Sequence, residues 1–246
     1  MDEITEISKK KGFISGLLGK TSNNDSISEI LKRAKTYFDK PLRSMPVYDQ
    51  EKDGPLIEFE VPEELKEIER YWLQEPYALA SILEDRKTRY YRLVEPALTK
   101  FEKELLERLY EDFQDILILN PTTSRIEKDA LLVDKTLLRL ERYKAEISTA
   151  AIHKIVYYLR RNLLGYEKIN PLLYDPYIED VSCDGVEVPL YIYHIRYLNI
   201  ESNISFVEEE LDSLVIKMCQ LNNKHISVSQ PIVDATIQEG SRLQIG

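Results

Sequence analysis

One glycine divides this chain by changing its period. In the helical stretch that ends at Leu164 apolar residues recur every three or four positions, whereas in the segments that follow Gly165 they begin to alternate. A 3.6-residue period turns one stripe of a helix toward a core, and a two-residue period turns one face of a strand there. One segment cannot satisfy both. The change at Gly165 therefore predicts a mainly helical unit over residues 26–164 and an α+β domain over 165–246, with residues 1–25 as an appendage.

Start and stop signals sharpen the first half. Ser26-Ile27-Ser28-Glu29 and Thr99-Lys100-Phe101-Glu102 are capping boxes, in which hydroxyl and carboxylate satisfy backbone N–H groups that a helix start leaves unpaired. Ile27, Ile30, Leu31, Ala34 and Phe38 follow the first box at helical spacing, and Pro41 stops that helix. Phe101, Leu105, Leu109, Phe113 and Ile116 form one stripe after the second, and Pro121 ends it. A further helix is predicted over 126–147, and another carries Ile152, Ile155, Val156, Leu159 and Leu163 on one side. Long helices with short links make a small bundle. Between the boxes, residues 41–62 hold four prolines and the turn Asp53-Gly54-Pro55, which reads as a connector. Residues 77–82 and 88–94 read as two strands joined by the charged turn 84–87.

In the second half, residues 178–183 alternate, Asp184-Gly185 signals a hairpin, and Val188, Leu190 and Ile192 alternate on the return. A third capping box, Ser205-Phe206-Val207-Glu208, opens a helix with Leu211, Leu214, Val215, Met218 and Leu221 inward. Strands over 232–237 and 243–245 then join at Glu239-Gly240. The expected fold class is α+β, the second domain carrying an antiparallel sheet.

Charge and side-chain chemistry exclude several classes. From Pro171 onward twelve acidic residues oppose four basic ones, a net of −8 within a chain of net −10. That domain repels a phosphate backbone, so no nucleic acid is expected. No apolar run approaches the ~18 residues of a membrane span, and the opening residues lack the apolar centre of a signal peptide, which predicts a cytoplasmic location. Residues 9–20 combine four lysines with Phe13, Ile14, Leu17 and Leu18; they read either as a membrane-surface or docking segment or as a mobile tail. Cys183 and Cys219 read as small buried residues, and His153, His194 and His225 lack metal-ligand spacing, so no metal site is expected. Gly19-Lys20-Thr21 ends like a phosphate-binding loop, but the position five before Gly19 is Ile14 where the loop needs glycine. No other catalytic constellation stands in for it.

The run from Gly165 through Asp175-Pro176-Tyr177-Ile178-Glu179-Asp180-Val181-Ser182-Cys183-Asp184-Gly185 resembles the amino-terminal domain of the type II/type IV secretion ATPases in their archaeal branch. Pro189-Leu190-Tyr191-Ile192-Tyr193-His194, Lys224-His225-Ile226-Ser227, Pro231-Ile232-Val233-Asp234-Ala235-Thr236 and Gly240-Ser241-Arg242 continue the likeness, as does Tyr91-Arg92-Leu93-Val94-Glu95-Pro96 upstream. The resemblance implies a hexamer at the inner face of the cell membrane that powers a pilus, archaellum or secretion machine. A carboxy-terminal RecA-like domain with the P-loop would follow Gly246, binding ATP and Mg2+, and the machine would act on a membrane platform protein. This chain alone would then hydrolyse nothing and hold no cofactor itself. The family carries Leu-Pro-Asp before Gly-Ser-Arg, where this chain has Ile237-Gln238-Glu239. By the same likeness Arg242 is the one candidate cofactor-binding residue, reaching nucleotide phosphate across a domain cleft; the alternative is a solvated arginine on a hairpin. A different class of function, a free-standing adaptor that binds another protein through its helices and tyrosines, stays open beside the motor reading.

Overall fold

The structure, a computed structural model, describes residues 42–117, 125–143, 147–227, 229, 231–237 and 240–246. The appendage 1–25 with Gly19-Lys20-Thr21, the Ser26 capping box with its helix, Pro41, Pro121 and the pair Gln238-Glu239 lie outside those residues. Two compact units form, each from two stretches of chain: residues 1–48 with 98–164, and 49–97 with 165–246. A one-turn helix α1 (Gln50–Asp53), capped by the Asp49 carboxylate accepting from the Glu51 N–H at 3.1 Å, lies in the proline-rich connector.

In the first unit the helices are α2 (Lys100–Leu117), α3 (Arg125–Arg142) and α4 (Thr149–Leu159), the last running into a π turn, Arg160–Leu164. The Thr99 box forms as expected: the Thr99 N–H donates to Glu102 Oε2 at 2.6 Å, and the Glu102 N–H donates to Thr99 Oγ1 at 3.2 Å. Leu105, Leu109 and Phe113 of α2 meet Leu132 and Leu140 of α3 and Ile155 and Leu159 of α4 in one core. Phe101, expected on that stripe, is exposed instead. The inward place in the first turn is taken by Glu102, which is buried by its capping bond and faces Lys154 at 3.9 Å. Segment 42–48 lies on this unit too. The Arg43 N–H and guanidinium both donate to the buried Asp134, at 3.0 and 3.3 Å, and His153 Nε2 lies 2.9 Å from the Pro46 carbonyl. Beside Asp134, burial lowers the Lys135 ammonium to about 8.

The second unit is built on one six-stranded sheet. Its strands are β1 (Lys66–Gln74), β2 (Ala78–Glu84), β3 (Arg89–Val94), β4 (Ile178–Ser182), β5 (Tyr191–His194) and β6 (Leu198–Ser202), in the order β1-β2-β3-β6-β5-β4. Every neighbouring pair is antiparallel except β3 and β6, which run parallel with Tyr90 opposite Glu201 and Tyr91 opposite Ser202. A 3-10 stretch, Glu167–Tyr174, precedes β4; α5 (Glu208–Leu221) and the ribbon β7 (Val233–Thr236) with β8 (Arg242–Ile245) follow the sheet. The fold is α+β.

Several expectations change here. Residues 49–97, assigned from sequence to the helical unit, belong with 165–246, because β3 completes its ladder on β6 and three strands alone leave a sheet edge bare. Asp184-Gly185 makes no tight hairpin: the β4–β5 ladder begins at Ser182 opposite Tyr191, leaving a loop over 183–190. Within that loop the Glu187 N–H donates to the Phe206 carbonyl at 2.7 Å and the Leu190 N–H to the Ile204 carbonyl at 2.8 Å. Pro189, which has no N–H to give a ladder, sits between those bonds. Cys183 in the loop is exposed, and only Cys219 is buried. The cap of α5 falls two residues later than expected. Val207 is the N-cap and has no side-chain acceptor, so only the return bond forms, from the Val207 N–H to Glu210 Oε2 at 3.2 Å.

Leu109 is fully buried at the middle of the helical core. Leu109→Ala should cost about 2–5 kcal/mol through lost burial and the cavity left behind. Chemical denaturation followed by far-UV circular dichroism checks it, with Phe101→Ala expected to fall below about 1 kcal/mol as an exposed site.

Candidate functional site

Arg242 stands at the start of β8, and its register partner across the ribbon is Thr236. Its guanidinium closes a two-point pair with Asp234, Nε to Oδ1 at 3.1 Å and Nη2 to Oδ2 at 2.6 Å. Both side chains are exposed. That paired hydrogen bond holds the Asp234 carboxyl below its ordinary value and the guanidinium above its own. Gly240 turns the ribbon with φ 92°, a left-handed conformation that glycine adopts without strain. Arg242 is thus presented on a short ribbon with its fork already aligned on an anion. Lys224, His225 and Ser227 from the same resemblance lie exposed ahead of β7.

The best-organised polar cluster of the second unit was not singled out from the sequence. The Asp175 carboxylate, buried where the 3-10 stretch ends, accepts from the Tyr71 hydroxyl at 2.8 Å and the Tyr91 hydroxyl at 2.7 Å, both on Oδ2. Its other oxygen accepts the Tyr177 N–H at 2.9 Å. His194 lies wholly buried next to it. Its Nδ1 accepts the Arg196 N–H at 3.1 Å, which leaves Nε2 as the protonated nitrogen, 3.2 Å from the Tyr71 oxygen. One directed chain results: backbone N–H to imidazole, imidazole to phenol, phenol to carboxylate. Burial, then the neighbouring Asp175 charge, push both tyrosine hydroxyls far above their usual range. Burial pulls His194 down, against the opposing pull of Asp175, so the imidazole is neutral at pH 7.

Around this chain the rings and cations stack. Arg196 lies 3.9 Å over the Tyr177 ring and pairs with Glu69 at 2.7 Å, and Tyr197 also donates to Glu69 at 2.8 Å. Among the described residues of the cluster no nucleophile is poised on a base, and its hydrogen bonds serve to join strands. It ties β1 and β3 to the chain entering β4. A cavity of about 630 Å3 opens between the β2–β3 turn and the β5–β6 hairpin, lined by Arg86, Lys87, Tyr191, Tyr197, Asn199 and Glu201 among others. Nearby charges are partly spent: Glu84 pairs with Arg89 at 2.9 Å, and Asp85 accepts from the N–H groups of Lys87 and Thr88. Among the described residues no group of three or more His, Cys, Asp or Glu could hold a metal ion, and no helix is long and apolar enough to cross a membrane.

Comparison with known proteins falls on the same sheet. Residues 25–97 match the model of the PilB3-like N-terminal domain. Three proteins of Methanocaldococcus jannaschii, each described as uncharacterized, are similar to it. MJ1288 is 34% identical over 194 residues, covering 76% of this chain and 76% of that protein. MJ0900 is 26% identical over 167 residues, covering 65% of this chain and 30% of that protein. MJ0781 is 31% identical over 71 residues, covering 29% of this chain and 10% of that protein. The chain belongs to the family of MJ1288.

The Asp175 cluster sets a sharp test. Asp175→Ala leaves the buried Tyr91 hydroxyl and the half-buried Tyr71 hydroxyl without their acceptor, at about 1–3 kcal/mol each, so a loss of about 2–6 kcal/mol is expected. Acid should weaken the same cluster. The folded pKa of His194 lies below its unfolded value, so the unfolded chain binds the extra proton, and stability falls as pH drops through about 6.5. The contribution is fully present above that pH. A plot of melting temperature from pH 7.5 to about 5.5 should fall less steeply for His194→Gln than for the unsubstituted chain.

Proposed function

We propose that the chain is the non-catalytic amino-terminal part of a hexameric ATPase that drives a pilus, archaellum or secretion machine. One observation carries the reading: two separate marks of that class meet in one sheet. The PilB3-like match over 25–97 contains β1, β2 and β3, and the run resembling the archaeal secretion ATPases, Asp175 to Gly185, contains β4. In this reading a RecA-like motor domain binds ATP and Mg2+, neighbouring subunits complete the ring, and motions pass to a membrane platform protein at the inner face of the membrane. Residues 9–20 touch the membrane surface. Arg242 meets nucleotide phosphate by exchanging the Asp234 carboxylate for another anion; its planar fork suits both.

A second reading has its own support. The alignment covers 76% of MJ1288, and the uncovered quarter of that protein is too short for an ordinary motor domain. The far smaller shares of MJ0900 and MJ0781 leave ample room for one. A free-standing protein-binding adaptor of the same fold therefore stands beside the motor reading.

Purified residues 1–246 should release no phosphate from ATP, and Lys20→Ala should change nothing. Turnover that depends on Lys20 would overturn the non-catalytic assignment. In a longer protein that continues into a motor domain, Arg242→Ala should lower nucleotide affinity or turnover by about ten- to a hundredfold, with Lys restoring only part. Normal turnover with normal hexamers would make Arg242 a surface residue paired to Asp234.

A further inference from the structure

Among the described residues, one half of the sheet is exposed to half-buried on one side. Along β5 the side chains alternate: Ile192 and His194 are fully buried on one face, while Tyr193 is 42% exposed on the other. Register continues that open face sideways. Asp180, Tyr193 and Asn199 form one row, and Ser182, Tyr191, Glu201 and Tyr90 form the next. On β2 the same face is closed, with Leu79, Ser81 and Leu83 all buried. The cover therefore stops at β3, where Arg92 is exposed. Strands facing water ordinarily carry small polar or charged residues there; tyrosines at the centre, amphipathic and rigid, mark a contact surface.

Charge on this face runs from one side to the other. On this face the β4 border is acidic, with Asp180 on the strand and Asp184 just beyond it, and no Lys or Arg occurs in sequence between Lys168 and Arg196. The β3 border carries Arg92 on the strand and Arg86 and Lys87 on the adjoining turn, where the carboxylates of Glu84 and Asp85 are taken up by Arg89 and by backbone N–H groups. Such a surface is complementary to itself.

The geometry points to a second copy of this chain as the occupant, packed face to face about a two-fold axis that runs along the strands between β5 and β6. That axis exchanges β5 with β6 and β4 with β3. By register it sets Tyr191 over the partner's Glu201 and Tyr193 over the partner's Asn199, twice each. It also lays the acidic border, Asp180 and Asp184, along the basic border with Arg92. A phenol donates to a carboxylate at the centre, charges pair at the rim, and aligned sheets pack at an ordinary angle. An unbroken acidic face would repel its own copy; this one does not. The inference goes beyond the proposed function and does not rest on it.

Sedimentation equilibrium of residues 1–246 over roughly micromolar to hundred-micromolar concentration tests it. A reversible dimer is expected. Arg92→Glu and Asp184→Lys should each raise its Kd about tenfold or more by placing like charges together, and the two combined should regain most of the loss. Tyr191→Ala should weaken the dimer with no rescue by either charge change, whereas Glu104→Lys on α2 should leave it unchanged. Circular dichroism confirms that each variant folds. A chain that stays monomeric throughout, an oligomer indifferent to Arg92→Glu, Asp184→Lys and Tyr191→Ala, a double variant no tighter than the singles, or equal weakening by Glu104→Lys each overturns the proposal.

Discussion

The second unit depends on one buried carboxylate. Asp175 gathers two phenol hydroxyls from distant parts of the chain, about a hundred residues away in sequence for Tyr71, together with the neighbouring Tyr177 N–H. Burying an ion costs several kcal/mol unless donors surround it, and here the donors are complete. The cluster therefore specifies as much as it stabilises: any other register of β1 or β3 would leave the charge unmatched. His194 extends the same logic to β5, because a neutral imidazole can relay a hydrogen bond that an imidazolium, with two donors, would break.

This join also explains why the chain's two family signals belong together. The PilB3-like stretch and the downstream run are separated by the helices of residues 98–164, yet they complete one another in the sheet. β3 and β6 make its single parallel pair, as expected where two hairpins arriving from different parts of the chain must share an edge. Inserting a helical bundle between two halves of a sheet is tolerated because loop-closure cost grows only slowly with the length of the inserted chain.

The two candidate contact regions are built on opposite electrostatic designs. Arg242 and Asp234 form a local pair in open solvent, where hydration and salt keep either partner exchangeable for a stronger anion or cation. The bare sheet face instead separates its charges by three strands, roughly 14 Å, so they cannot neutralise one another within one molecule. Separation of that kind leaves the field to be satisfied by something outside.

Sequence alone determined the local features, each governed by near neighbours. The Thr99 box, the stripe of Leu105, Leu109 and Phe113, two strands near the expected 77–82 and 88–94, the Gly240 turn and the helical-to-extended change at Gly165 all follow from spacings of a few residues. Where a local signal misled, a competing hydrogen bond had taken its place. Phe101 yielded its inward place to Glu102, Asp184-Gly185 gave way to bonds reaching Ile204 and Phe206, and the Ser205 box moved to Val207. Tertiary structure decided that residues 49–97 join the distal domain, that β1 and β6 exist as sheet strands, and that Asp175, Tyr71, Tyr91 and His194 converge. Arg242 was legible as a residue but not its pairing with Asp234 in two-point register. The physical reason is common to all of these: periodicity reports which side of an element is apolar, whereas hydrogen bonds across a hundred residues depend on which elements become neighbours.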